Sequence, residues 1–127
     1  MTRSIPAALL ATALFAPVTA QAAEATLQIE LGTKGDFERR VMTYDCNDGS
    51  SLPVTYINAA PNFLALLSVT DEPEPLVFSS VVAASGVRYV SGIWVWWTKG
   101  VDASLYDATL GEDAEAVLTC SELNNTP

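Results

Sequence analysis

Short runs of alternating or β-branched residues recur along this chain at intervals of about ten residues, each closed by a cluster of turn formers. They fall at residues 26–31, 39–46, 53–58, 63–69, 76–83, 87–91, 93–99, 103–106 and 116–120. Gly, Asn, Asp, Ser and Pro concentrate between them, at 32–36, 47–51, 60–62, 71–75, Ser91-Gly92, Lys99-Gly100 and 111–113. Residues of these types supply the backbone dihedrals and local hydrogen bonds that reverse a chain. No long 3.6-residue periodicity competes. A rhythm of this kind predicts an all-β, antiparallel barrel or sandwich, and the small size favours a barrel, which leaves no sheet edge open. Strand patterning continues on both sides of the acidic, proline-containing stretch 71–75, so that stretch reads as a solvated connection within one domain.

The first residues stand apart from that rhythm. A charged start at Arg3 leads into an Ala/Leu-rich run from Ile5 to Val18, then Ala20-Gln21-Ala22 offers an A-x-A cleavage pattern. Pro6 and Pro17 interrupt the run, and a transmembrane span needs about 20 apolar residues. Residues 1–22 therefore read as a secretory signal peptide, with the mature domain at residues 23–127. No cysteine lies near the junction, so neither a lipid-anchored form nor any other membrane anchor is expected. Cys46 and Cys120, the only two cysteines, fit an exported protein as a single disulfide. Closing a loop of about 75 residues is worth about 4.5 kcal/mol in the chain-entropy treatment. Two free thiols would lack a Cys-x-x-Cys spacing or a histidine partner.

Charge and composition remove many functions. With 15 Asp and Glu against 6 Lys and Arg, the formal charge is −9, which makes nucleic acid an unfavourable partner because phosphate contacts need clustered cations. There is no histidine, so Ser-His-Asp, Cys-His and His-zinc chemistries are closed off. Asp45, Asn47 and Gly49 lack the spacing and terminal Glu of a calcium loop, and Asp102 and Asp107 fall on opposite faces of one strand, which is wrong for paired acids. No cofactor and no metal site is expected, and the chain does not read as an enzyme.

Two adjoining stretches look like more than scaffolding: Ser85-Gly86-Val87-Arg88-Tyr89, and Ile93-Trp94-Val95-Trp96-Trp97-Thr98-Lys99-Gly100. Arg88 and Lys99 are the only cations after Arg40, so they make a positive spot on an acidic body. Routine pairing with nearby carboxylates would account for them at about 0–1 kcal/mol each. In a regular strand Trp94 and Trp96 share one face, while Val95, Trp97 and Lys99 share the other. Core packing explains at least two of the indoles; an aromatic rim for a protein partner is the functional alternative.

Tyr44-Asp45-Cys46-Asn47-Asp48-Gly49, Val54-Thr55-Tyr56-Ile57-Asn58, Ala65-Leu66-Leu67, the Ser85–Tyr89 stretch, Trp96-Trp97-Thr98-Lys99-Gly100 and the late Cys120, taken in this order, resemble the MliC/PliC family. These are membrane-bound and periplasmic inhibitors of c-type lysozyme from Gram-negative bacteria. The resemblance spans about residues 40–120. It implies an eight-stranded antiparallel β-barrel closed by a Cys46–Cys120 disulfide, and a periplasmic inhibitor whose partner is a strongly basic lysozyme. It further implies that Ser85, opening an S-G-x-x-Y motif, and Lys99, in a W-x-K-G motif, carry the inhibition. Gly86 then lets the backbone approach closely, with Arg88, Tyr89 and Trp97 in supporting roles. Ala83 stands where family members often carry a serine, and the absent lipidation cysteine points to the periplasmic branch. The rival reading is a periplasmic barrel that binds a small apolar ligand with its tryptophans as pocket walls. The sequence leaves a homodimer open.

Overall fold

Antiparallel pairing carries the chain through eight strands that close on themselves. The computed structural model describes residues 2–4, 12–15, 25–33 and 35–123. Most of the export segment read over residues 1–22, with the cleavage point near Ala23, lies outside the described residues. The strands are β1 (Glu38–Cys46), β2 (Ser51–Ala59), β3 (Asn62–Leu67), β4 (Leu76–Val81), β5 (Val87–Ser91), β6 (Trp94–Lys99), β7 (Asp102–Asp107) and β8 (Leu118–Glu122). Each pairs with its sequence neighbour, and β8 returns to β1, so the sheet is a closed barrel. Closure falls at Tyr44↔Glu122, Asp45↔Ser121 and Cys46↔Cys120, and the last pair is covalently joined as a disulfide.

One expected strand does not form. Residues 25–33 have no regular structure and stay exposed, despite the alternation that predicted a strand over 26–31. β8 already occupies the place beside the end of β1, and with β2 on its other side β1 offers that segment no partner there. The eight remaining runs all appear, with ends shifted by a few residues.

Alternation decides what fills the barrel. Val54, Ala65, Phe78 and Trp96 are wholly buried, with Tyr44, Tyr56, Leu67 and Leu105 nearly so. Full burial of Phe78 or Val54 contributes about 1.5–3 kcal/mol each. The polar tips of the large aromatics find one another. The Trp96 indole Nε1–H donates to the Tyr56 hydroxyl at 3.0 Å, and the Tyr56 and Tyr44 hydroxyls share a bond of 2.7 Å. Tyr44 also meets Trp96 edge-on, with ring centroids 5.3 Å apart and planes at 85°. A buried N–H without an acceptor would be costly, so this network lets three polar aromatics occupy a barrel interior.

The stretch 71–75 is more than a solvated connection. Glu72 accepts a hydrogen bond of 3.0 Å from the Trp94 indole Nε1–H, tying that loop to the base of β6.

Two consequences can be measured. Tyr56→Phe leaves the Trp96 N–H buried without its acceptor and is expected to lower the unfolding free energy by about 1–3 kcal/mol in denaturant titration; unchanged stability would show the network to be unimportant. Burial raises the phenol pKa of Tyr44, Tyr56 and Tyr89 above the ordinary value. In the unfolded chain these phenols ionise near pH ~10, while the folded barrel keeps them protonated to higher pH. Stability is therefore full below about pH 10 and falls as pH rises towards the folded values, which thermal unfolding across the alkaline range will register.

Candidate functional site

The site is built on the β5–β6 ladder. Its register pairs Val87 with Thr98, Arg88 with Trp97 and Tyr89 with Trp96. Side chains directly opposite share a face, and successive residues alternate. Tyr89 and Trp96 therefore point into the barrel, while Arg88 and Trp97 point out, with Lys99 on the same face two residues further along. Tyr89, expected in a supporting role beside the docking surface, is thus a core residue. It is 6% exposed and packs on Tyr56, with ring centroids 5.7 Å apart. Trp94 and Trp96 belong to the core as well, leaving Trp97 as the outward indole.

The outward residues form one connected ledge. The Trp97 indole Nε1–H donates to the Ser85 backbone carbonyl at 2.8 Å, joining β6 to the exposed loop before β5. Over the Trp97 ring sit two cations, with Lys99 Nζ 4.2 Å and Arg88 Cζ 5.7 Å from its centroid. The aromatic face attracts both through its quadrupole. Carboxylate pairing, the routine expectation for these cations, is thus replaced as the organising contact by a shared indole. Arg88 Nε is buried without a hydrogen-bond partner, while Ser85 and Lys99 are exposed.

Two contributors were not singled out from the sequence. Thr98 donates its hydroxyl to the Val87 carbonyl at 3.3 Å, a further tie between the strands. Tyr106 flanks Trp97, with centroids 6.4 Å apart. Thr98 sits inside the W-x-K-G motif at its variable position, and Tyr106 shares the outward parity of its strand, but neither feature specifies a contact.

Gly86 is fixed by its surroundings. Its φ of +64° is a left-handed conformation, and a Cβ there would collide with the Thr98 carbonyl oxygen and lie 2.9 Å from Lys99 Cγ. The loop bearing Ser85 can therefore run against β6 beside Lys99 only because residue 86 has no side chain.

A cavity of about 570 Å³ opens at this end of the barrel, lined in part by Arg40, Tyr44, Tyr56, Tyr89 and Glu122, with Gly86 and Gly100 among its residues. Its walls mix polar and apolar residues, Phe63, Val81 and Val87 among the latter, and no tryptophan lines it. Elsewhere, the Asp48 carboxylate accepts from both the Ser50 hydroxyl and backbone N–H, which holds its pKa below the usual range and accounts for the residues after Cys46, 47–49, as the turn between β1 and β2. Among the described residues no cluster of His, Cys, Asp and Glu is arranged to hold a metal.

The disulfide-bonded barrel thus presents a serine loop and an indole-held ammonium side by side on its outer face. The family model described as membrane-bound lysozyme-inhibitor of c-type lysozyme matches residues 44–113. The membrane-bound lysozyme inhibitor of C-type lysozyme from Pseudomonas aeruginosa is 38% identical over 100 residues, covering 76% of this chain and 78% of that protein. The protein of the same name from Cupriavidus necator is 37% identical over 79 residues, 62% of each chain. Among solved structures, Pseudomonas aeruginosa MliC in complex with hen egg white lysozyme aligns with a TM-score of 0.61 at 34% identity, covering 79% of this chain and 100% of that one. PliC-St, the periplasmic lysozyme inhibitor of C-type lysozyme from Salmonella typhimurium, aligns with a TM-score of 0.56 at 30% identity, over 68% of this chain and all 100% of that one. The chain belongs to the MliC family, which consists of protein inhibitors of lysozyme and not of enzymes.

Gly86→Ala adds both a left-handed strain and a steric collision, so it is expected to cost about 1–3 kcal/mol in unfolding free energy. It should also shift Trp97 fluorescence as the loop moves off β6. A variant as stable as the parent with unaltered emission would show the loop to be free of β6.

Proposed function

We infer that this protein inhibits c-type lysozyme by lodging the Ser85-Gly86 loop and Lys99 in the substrate cleft of the enzyme. The observation that carries this reading is the convergence of Ser85 and Lys99 on one indole, in a barrel similar to an MliC captured in complex with hen egg white lysozyme.

The mechanism follows from the enzyme's chemistry. Lysozyme cleaves with two carboxyl groups held in different protonation states, a general acid and an ionised partner, and is the standard worked case of that arrangement. The Ser85 hydroxyl hydrogen-bonds one carboxyl group, and the Lys99 ammonium pairs with the other. Occupying both excludes the sugar and removes the acid and the stabilising charge together. Gly86 keeps the loop thin enough to enter.

Electrostatics divides the work. Lysozymes of this class are basic, so the acidic bulk of the barrel draws the enzyme in over a distance set by salt. The local Arg88/Lys99 spot then meets an acidic cleft, which orients the pair. Export to the periplasm by the segment at residues 1–22 places the inhibitor where an invading lysozyme would reach the cell wall. A carrier of small apolar ligands that uses its tryptophans as pocket walls fits less well, because Trp94 and Trp96 fill the core and no tryptophan lines the cavity at the barrel end.

Lysis of bacterial cell walls by hen-type lysozyme tests this directly. Lys99→Ala is expected to weaken inhibition by about 2–5 kcal/mol if its carboxylate partner is desolvated. Ser85→Ala should cost about 0.5–3 kcal/mol, depending on whether a carboxyl oxygen is left unpaired. Both variants inhibiting as well as the parent would refute the assignment. Raising salt should slow association of the parent protein more than it speeds dissociation.

A further inference from the structure

The geometry points to Trp97 as a positioning residue that acts through two other groups, holding the Ser85 backbone with its indole N–H and the Lys99 ammonium over its ring. This inference rests on the reading above, but its structural half is measurable without lysozyme.

The outward face of β6 could carry any residue that tolerates partial exposure, yet the chain places there a bulky indole whose two functional parts are both engaged. The N–H reaches back across the ladder to Ser85 at 2.8 Å. The ring carries Lys99 at 4.2 Å and Arg88 at 5.7 Å. A lysine side chain in water samples many rotamers, and freezing it on binding costs affinity, as does ordering a loop. Trp97 meets both costs in the free protein. Its own placement is secured by Arg88 directly across the ladder and by Tyr106, 6.4 Å away. Gly86 completes the device by admitting the loop to within contact of Thr98 and Lys99. Phenylalanine could supply the cation-binding face but not the N–H, and leucine neither. The two contacts are therefore separable by substitution.

Two measurements test the proposal. In the free protein, the Lys99 side-chain methylene protons should show upfield ring-current shifts in NMR spectra. These shifts should vanish in Trp97→Leu and persist in Trp97→Phe and in Ser85→Ala. Random-coil Lys99 shifts in the folded parent would overturn the proposal whatever lysozyme does. Inhibition constants for parent, Trp97→Leu, Ser85→Ala/Lys99→Ala and the triple variant then give a cycle. Trp97→Leu in the parent background is expected to lose on the order of tenfold in potency, from one lost hydrogen bond and one lost cation–ring contact. In the background lacking both target groups the same substitution should change potency by less than about twofold, since a residue acting through others has nothing left to position. Equal losses in both backgrounds would mean that Trp97 touches the partner itself or only supports the fold, and would overturn the inference. Should Trp97→Leu fail to fold, Trp97→Phe carries the test: retained Lys99 shifts with faster amide exchange at Gly86 support the two-contact account, and unchanged exchange overturns it. A parent protein with shifted Lys99 resonances but no inhibition of lysozyme would refute the proposed function while leaving the positioning role intact.

Discussion

The antiparallel register of β5 against β6 is the constraint on which the rest depends. Because side chains alternate along a strand, pairing Arg88 with Trp97 necessarily pairs Tyr89 with Trp96 on the opposite face. A slip of β6 by one residue would turn Trp96 out to solvent and bring Trp97 into the barrel. The interior penalises that slip heavily, since Trp96 is wholly buried and its N–H has its acceptor only on Tyr56. The buried network thus fixes the register, and the register aims the exposed chemistry. Core and surface are two sides of one ladder, so stability and the placement of the exposed residues share a cause.

Much of this was legible in the sequence, for physical reasons. Period-two patterning and turn formers reveal strands because each strand is buried on one face only, and eight of the nine runs became strands. The exception, 26–31, has the same alternation but no sheet position left beside β1 where β8 sits; alternation reports what a strand would bury and not whether a neighbour exists. The same parity argument put Trp94 and Trp96 on one face and Trp97 on the other. It put Val95 on the face with Trp97 and Lys99 but did not tell that Val95 would be buried there, sharing a groove with Asp107, Ala108 and the 111–114 segment. Contacts between distant segments stayed invisible. Nothing in the chain announces that Glu72 would accept from Trp94, or that the Trp97 N–H would find the Ser85 carbonyl.

The candidate site was legible as a set of residues and not as an arrangement. Motif resemblance singled out Ser85, Gly86, Arg88, Tyr89, Trp97 and Lys99. Five of these converge on the outer ledge, and Tyr89 is the one that turns inward to the core. The charge pattern also gains a physical reading: an acidic body with two cations confined to one indole suits a basic partner that carries an acidic cleft. In the proposed function, long-range attraction and short-range selection fall to different residues.

The central claim is that this ledge occupies the cleft in which lysozyme binds sugar, and competition measures it most directly. Binding of the protein to c-type lysozyme should be titrated by calorimetry in increasing concentrations of a non-hydrolysed N-acetylglucosamine oligomer that fills the cleft. The account predicts that apparent affinity falls in proportion to cleft occupancy, as for two ligands that exclude one another. Affinity unaffected by a saturated cleft would place the contact elsewhere on lysozyme and contradict the account.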